Sequence, residues 1–485
     1  MRAESDESVS VRLELSSFAV DLTLPAATQV LRTGEPEALV DVPGAVAEAL
    51  AAPIGGPPLA EICRGVLARG KAREAGAAPA PGRANRGRQR PTVAVVVSDN
   101  TRPVPYRGEA GVLWPLVRFL TEAGFPPETI TLLVATGTHH RLSEEEMWAL
   151  FDDRIREAGV GVHCHDAADQ AALTRVGETA RGSDVFMNRR YVEADLRILT
   201  GLVEPHLVAG LSGGRKSICP GLVDVRTLRE FHGPVTLAHE KATDLILEGN
   251  PCHEAALEIA RLQPPDFILN VTMRRDRRVA GVFAGDMEQA HLVAAEHVRS
   301  FSEIPLRHEY DVVVVHAGPV GVNHYQAQKA ATAAARAARA GGYMVLIADT
   351  TDVDPLGSKS YRRLLKLLHD VGPEAFLQMI QAEEWEFVQD QWGVQIWGDL
   401  VKRIPADHIF YFSPQTAMED YAMLPCVDPA PLLGDASGSD ASELVSQFVA
   451  GAVAQACRAS RETTGREPAV AYLADGPHGI PVRRE

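Results

Sequence analysis

A chain of 485 residues, 46% hydrophobic and 23% charged, is long enough to bury two or three cores, which excludes a disordered or fibrous protein. Its net charge of -16 argues against nucleic acid and anionic membranes as partners, since both need a basic surface. A small anionic substrate stays open, because one local cluster of Arg and Lys can outweigh the global sign.

The acidic start MRAESDESVSVRLELSS lacks the basic flank and apolar core of a signal peptide, and no run reaches 18 apolar residues. The expected compartment is the cytoplasm. Cys63, Cys164, Cys219, Cys252, Cys426 and Cys457 are scattered without a CxxC pair, so they read as reduced thiols and not as a disulfide frame or thiolate zinc site. VRLELSSFAVDLTLP (11–25) alternates apolar and polar around a Ser-Ser break and predicts an edge hairpin. Residues 70–91, rich in Ala, Gly, Pro and Arg, predict a flexible insertion.

From residue 92 the pattern becomes strand, helix, strand, helix. TVAVVVSDN and ITLLVATGTHH are near-continuous apolar runs ending in polar residues, as in strands buried on both faces of a parallel sheet. RGEAGVLWPLVRFLTEAG and SEEEMWALF are the intervening helices, the second opening on a serine and three carboxylates. This grammar predicts a doubly wound α/β unit with ligands beyond the carboxyl ends of the strands. SDNTRP (98–103) and TGTHH (136–140) are then candidate functional tips.

The grammar restarts at YDVVVVHAGP (310–319) and continues through QKAATAAARAARA, YMVLIADT, a helix from DPLGSKSYRRLLKLLHDVG, a Trp-containing helix at 383–403, HIFYFS and SELVSQFVAGAVAQACRAS. Two α/β domains with mainly parallel sheets are expected, residues 1–300 and 301–485, with the helix MEQAHLVAAEHVRSFS crossing between them and an active-site cleft at their junction. AYLADGPHGIPV near the end reads as strand and turn.

The densest chemistry lies in EPHLVAGLSGGRKSICPG (204–221). GLSGG matches the G-x-S-x-G nucleophile elbow with Ser212 as nucleophile, although EPHLVAG is only weakly strand-like where an elbow needs a buried strand. A phosphate-binding P-loop fails because Arg215 stands where glycine must precede the lysine. Lys216, beside another cation in a glycine-rich turn, is a candidate amine nucleophile toward carbonyl carbon. His139 and His206 end apolar runs where α/β chemistry is placed, and histidine suits acid/base work near neutral pH. HCH at 163–165 reads as structural.

SDNTRP, TGTH, EPHLVAGLSGGRKSICPG, FHGP and YQAQK, in this order, resemble the lactate racemase family, whose members carry a nickel-pincer nucleotide. The steps of ten residues from His206 to Lys216 and sixteen to His232 are the most specific matches. The resemblance implies that Lys216 binds the pincer covalently and that His232 is the protein ligand to nickel, a single imidazole in a soft, near-square donor set. The loop would hold the cofactor, with Ser212, Gly213 and Gly214 letting its backbone pass close to ring and phosphate. Asp99 and Tyr325 would also line the cofactor. Arg102, Gln326 and Lys329 would bind the substrate, Arg102 gripping its carboxylate through two N–H groups. His139 and His206 would be the acid/base pair, one for each enantiomer, while the α-hydrogen leaves as hydride to the cofactor. His140 stands where the family often has arginine, leaving His140 as the alternative to His139. The function implied is interconversion of D and L 2-hydroxy acids such as lactate, in partnership with cofactor-maturation enzymes. A serine hydrolase acting through Ser212 and a non-catalytic hydroxy-acid-binding protein are the competing readings.

Overall fold

The structure, a computed structural model, describes residues 8–74, 90–434 and 438–483. The chain divides into two compact units, Glu35–Phe301 and a second made of the residues up to Gly34 together with those from Ser302 onward.

The first unit is built on a six-stranded sheet in the order Val279–Gly285, Phe267–Met273, Leu196–Leu202, Val93–Ser98, Ile130–Ala135, Gly161–Cys164. All neighbours are parallel except the first pair. The Val/Ile/Leu runs form strands because helices cover both faces and leave no polar face to alternate with. Val93 is opposite both Ile130 and Leu196, so the three central strands bring their carboxyl ends to one edge. The order reverses between Val93–Ser98 and Leu196–Leu202, the point at which an open sheet leaves a crevice for a ligand. Helix Glu144–Ala149 starts on a capping box of Ser143 and Glu146, as its sequence signals.

The second unit has an all-parallel five-stranded sheet, in the order Ile409–Phe412, Ala338–Ile347, Tyr310–His316, Val470–Leu473, Gln29–Leu31. The 11–25 segment forms the expected hairpin, Val9–Glu14 with Ala19–Leu24, and it packs on helix Ala441–Thr464. Glu303–Leu306 and Ile480–Arg483 form a short parallel pair.

Three sequence expectations are corrected. The first 34 residues do not fold with 35–300: Gln29–Leu31 joins the second sheet, and Asp349 of that unit accepts hydrogen bonds from the Ser17 backbone and hydroxyl. Helix Gln289–Ser302 closes the first unit instead of crossing between domains. Helix Leu59–Glu74 runs into the segment read as a flexible insertion, of which residues 75–89 lie outside the described residues. The cysteines are free. Burial pushes Cys63, Cys219 and Cys252 up to about 12, so these thiols stay protonated. Among the described residues no helix is long and apolar enough to cross a membrane.

Candidate active site

The crevice at the strand-order reversal is furnished by the ends of the three central strands. Ser98 leads directly into Asp99, which is 4% exposed. Its Oδ2 accepts a 2.7 Å hydrogen bond from His139 Nδ1, and its Oδ1 accepts from the Thr101 hydroxyl at 2.6 Å and backbone at 3.1 Å. Burial works to raise the Asp99 carboxyl, but the hydrogen bond and charge of His139, with Thr101 and Arg102, outweigh it and hold the group below its ordinary range. Asp99, expected beside the cofactor, thus stands behind His139 and orients it. The His139 side chain is 57% exposed, with Nε2 pointing away from Asp99. The hydrogen bond falls on His139 and not His140.

Residues 204–221 lie over the same edge. Pro205–His206 pairs with Gly210–Leu211 as a two-residue hairpin, and the Val208 and Ala209 backbone N–H groups donate to His206 Nδ1 at 3.4 and 3.2 Å. Gly137 N–H donates to the Gly221 carbonyl at 3.0 Å, which ties the His139 tip to the loop. The glycines answer to the protein's own packing. At Gly213 (φ +76°) a Cβ would lie 2.7 Å from Val203, and at Gly214 (φ +52°) it would lie 2.9 Å from the His291 ring. A side chain at either position would run into Val203, Asn270 or His291. Ser212 Oγ donates to the Leu202 carbonyl at 2.7 Å and accepts from Glu204 N–H at 3.0 Å, so its hydroxyl is spent holding the loop.

Arg215 is buried, donating to the Ala209 carbonyl at 2.8 Å with Nη1 2.9 Å from His291 Nε2. Burial lowers its guanidinium to about 9, which leaves it cationic at neutral pH. Lys216 places Nζ 4.7 Å from the centre of the Phe231 ring. Burial first, then the charges of Arg102 and Arg215, hold this amine well below the usual lysine range. A cation–π contact favours the ammonium by only ~0.5–2 kcal/mol, and it is opposed by burial beside two guanidinium groups, which favours the free amine.

Helix Val225–His232 begins at Asp224, whose carboxylate caps Thr227, and ends at His232 before Gly233 and Pro234. A helix C-terminus favours an imidazolium by about 0.3–1 kcal/mol. Here burial, with Lys216 and His139 nearby, dominates and keeps His232 neutral. Its ring lies 4.5 Å from that of Phe231, so Lys216 and His232 both pack on one phenylalanine.

Arg102 is less available than expected. Its Nε sits 3.2 Å from Glu204 Oε1 and its Nη1 donates to the Thr101 carbonyl, leaving Nη2 as its open donor. Tyr325, Gln326 and Lys329 belong to the other unit, on the first turns of helix His324–Ala337. Asn323 caps that helix through Gln326 N–H, and Tyr325 OH accepts from Trp392 Nε1 at 2.6 Å. Tyr325 and Lys329 share a face through their spacing of four. The HCH motif is structural at His165, whose two ring nitrogens meet Asn188 and the Val223 carbonyl.

Sequence reasoning missed Glu204, Phe231, His291 and Asn270. Asn270 is fully buried and accepts from Gly214 N–H at 2.9 Å. An amide in the apolar strand FILNVTM was a signal for it. Glu204 and Phe231 stood inside EPHLVAGLSGGRKSICPG and FHGP without a role, and nothing marked His291.

Residues 83–244 match the family described as Lactate racemase N-terminal domain, and residues 307–425 match Lactate racemase C-terminal domain. The chain is 30% identical over 347 residues to the lactate racemase of Thermoanaerobacterium thermosaccharolyticum, covering 71% of this chain and 78% of that one. This chain belongs to the lactate racemase family. Against the lactate racemase of Lactiplantibacillus plantarum it is 29% identical over 397 residues, 81% of this chain and 84% of that one. As a member of the family it is an enzyme of the isomerase class. Its fold matches that of the lactate racemase apoprotein of T. thermosaccharolyticum with a TM-score of 0.77 at 23% identity, covering 98% of this chain and 100% of that one. Membership and the spent Ser212 hydroxyl together set aside the serine hydrolase, and with it the non-catalytic binding protein.

Proposed function

We propose that this enzyme interconverts the enantiomers of a short 2-hydroxy acid, lactate or a near relative, by moving the α-hydrogen as hydride. The observation that carries the reading is the packing of the Lys216 amine and the His232 imidazole on one ring, Phe231, beside the Asp99–His139 dyad, with burial lowering both the amine and the imidazole.

These residues fit a nickel-pincer nucleotide. An uncharged amine can bond a carbonyl-derived carbon, and a neutral imidazole can donate a lone pair to nickel. Among the described residues no group of three His, Cys, Asp or Glu could hold a metal ion, and His232 is the residue that would offer a nickel ion its imidazole here. When bound, such a group supplies a two-electron acceptor for the α-hydrogen. Lys216 would hold its ring and His232 its metal, while burial first, then Arg102 and Arg215, favours the free amine at Lys216. His139 and His206 would exchange hydrogen bonds and protons with the 2-hydroxyl. Arg102, through Nη2, would take the carboxylate.

Intact mass and metal content of protein made in cells able to build the pincer test this. Added covalent mass and nickel are expected in the wild type, and the mass should vanish in Lys216→Ala together with racemisation. A wild-type chain that gains neither mass nor nickel, or a Lys216→Ala variant that still racemises, sinks the reading.

A further inference from the structure

Glu204 follows the central strand Leu196–Leu202 by two residues and takes no part in the chemistry described above. Its backbone is fixed twice by the loop that carries Lys216. The Ser212 N–H donates to the Glu204 carbonyl at 3.0 Å, and the Glu204 N–H donates to Ser212 Oγ at 3.0 Å. The next two residues, Pro205 and His206, pair with Leu211 and Gly210, so the main chain that bears the Glu204 carboxylate has little freedom. That carboxylate reaches the SDNTRP tip, where Oε1 lies 3.2 Å from Arg102 Nε. With the Arg102 and Glu204 side chains 24% and 23% exposed, the pair is sheltered from much of the screening that makes open surface pairs weak.

Arg102 needs such a partner, because its guanidinium ends a long stem rich in rotamers. Its contact through Nη1 is to the carbonyl of Thr101, its own neighbour in the chain, which steers the stem only locally. The other carboxylate within its electrostatic reach is Asp99, whose oxygens already accept from His139 and Thr101. A guanidinium released from Glu204 would be drawn toward Asp99, where it would compete with His139 and turn away from an incoming anion. We propose that Glu204 is a positioning residue for the substrate arginine: it holds Arg102 off Asp99, presents the guanidinium to the substrate carboxylate, and ties that grip to the loop bearing the Lys216 amine. This rests on the racemase reading above. Glu204 also repels a second carboxylate, but the cation that both would contact offsets the repulsion, whereas an unheld arginine must be ordered anew each time substrate binds.

Arginine side-chain 15N spectra of the unloaded protein read the ion pair directly, with Arg102→Ala assigning the signal. A slowly exchanging Arg102 Nε–H is expected in the wild type and a faster one in Glu204→Ala; equal rates overturn the proposal. In loaded enzyme, Glu204→Ala should raise KM for a 2-hydroxy acid by roughly 3- to 30-fold, the scale of coupling between charged groups in contact. Its kcat should stay within about threefold, as for loss of binding shared by ground and transition states, with covalent mass and nickel unchanged. Glu204→Gln, which keeps an oxygen able to accept from Arg102, should fall between Glu204→Ala and the wild type. Made in an Arg102→Ala background, Glu204→Ala should move KM by less than about twofold, since its effect runs through the arginine. A KM penalty that persists without Arg102, or a loss of kcat at unchanged KM, overturns the proposal. If wild-type loaded enzyme racemises no 2-hydroxy acid, the racemase reading fails, and the exchange rates still decide whether Glu204 holds Arg102.

Discussion

Past the strand ends of the six-stranded sheet, Asp99 holds a half-exposed His139 and the Lys216 loop is tied to the same edge, whereas past those of the five-stranded sheet Asp349, His316 and Asp475 are turned onto the protein itself. Asp349 accepts from Ser17 and Gln415, His316 Nε2 meets the Ala474 carbonyl, and Asp475 accepts from Thr33 N–H. The same βα grammar therefore serves chemistry at one edge and anchorage of the N-terminal segment at the other. Fold alone did not decide which.

The widest test of this contrast is Gly213→Ala. Its Cβ would meet Val203 at 2.7 Å in a backbone conformation that L side chains rarely adopt, so the loop must shift, and covalent loading and racemisation should fall to background by intact mass and chiral chromatography. A loaded, active Gly213→Ala would show that the loop is not set by its packing. Next is Asp99→Asn. Loss of a group that orients a working imidazole should cost about 10- to 100-fold in kcat, with the cofactor retained. The wild-type carboxyl is held below its unfolded value of ~4. Its contribution to stability is thus present above that pH and disappears as pH falls through the lower folded value. Urea midpoints taken between pH 5 and 3 should accordingly decline less steeply in the Asn variant.

At the other edge, Asp349→Ala removes a charged acceptor from the hairpin and should lower stability by about 1.5–3 kcal/mol, read from the urea midpoint, with kcat of the folded enzyme within twofold of wild type. A larger change in kcat would erase the division of labour between the edges. The smallest effect belongs to Ser212→Ala, which should cost about 1 kcal/mol and leave racemisation within a few-fold.

The doubly wound architecture was legible because strands such as Val93–Ser98 and Tyr310–His316 are apolar on both faces, and Ser143 announced its helix by side-chain chemistry. The three-residue strand Gln29–Leu31 carries no periodicity, so nothing local told it to join a sheet formed hundreds of residues later. At the site, Lys216, His232, His139 and His206 were nameable from motif spacing, and Asp99 was nameable without its role, because its bond to His139 is a fact of two strand ends meeting. Phe231 and Glu204 were silent for the same reason: a phenyl ring between two functional groups, or a carboxylate on Arg102, exists only after packing. The glycines announced an unusual φ, but not the Val203 and His291 side chains that crowd Gly213 and Gly214.

Because Gln29–Leu31 lies against Val470–Leu473, the second sheet waits for segments made on either side of residues 35–301. On the ribosome, Gln29–Leu31 stays without its neighbour until Val470–Leu473 has been made, while residues 35–301 can complete their own core in between. A fragment beginning at Ser302 would expose the bare side of Val470–Leu473 and the apolar face of helix Ala441–Thr464, an invitation to self-association.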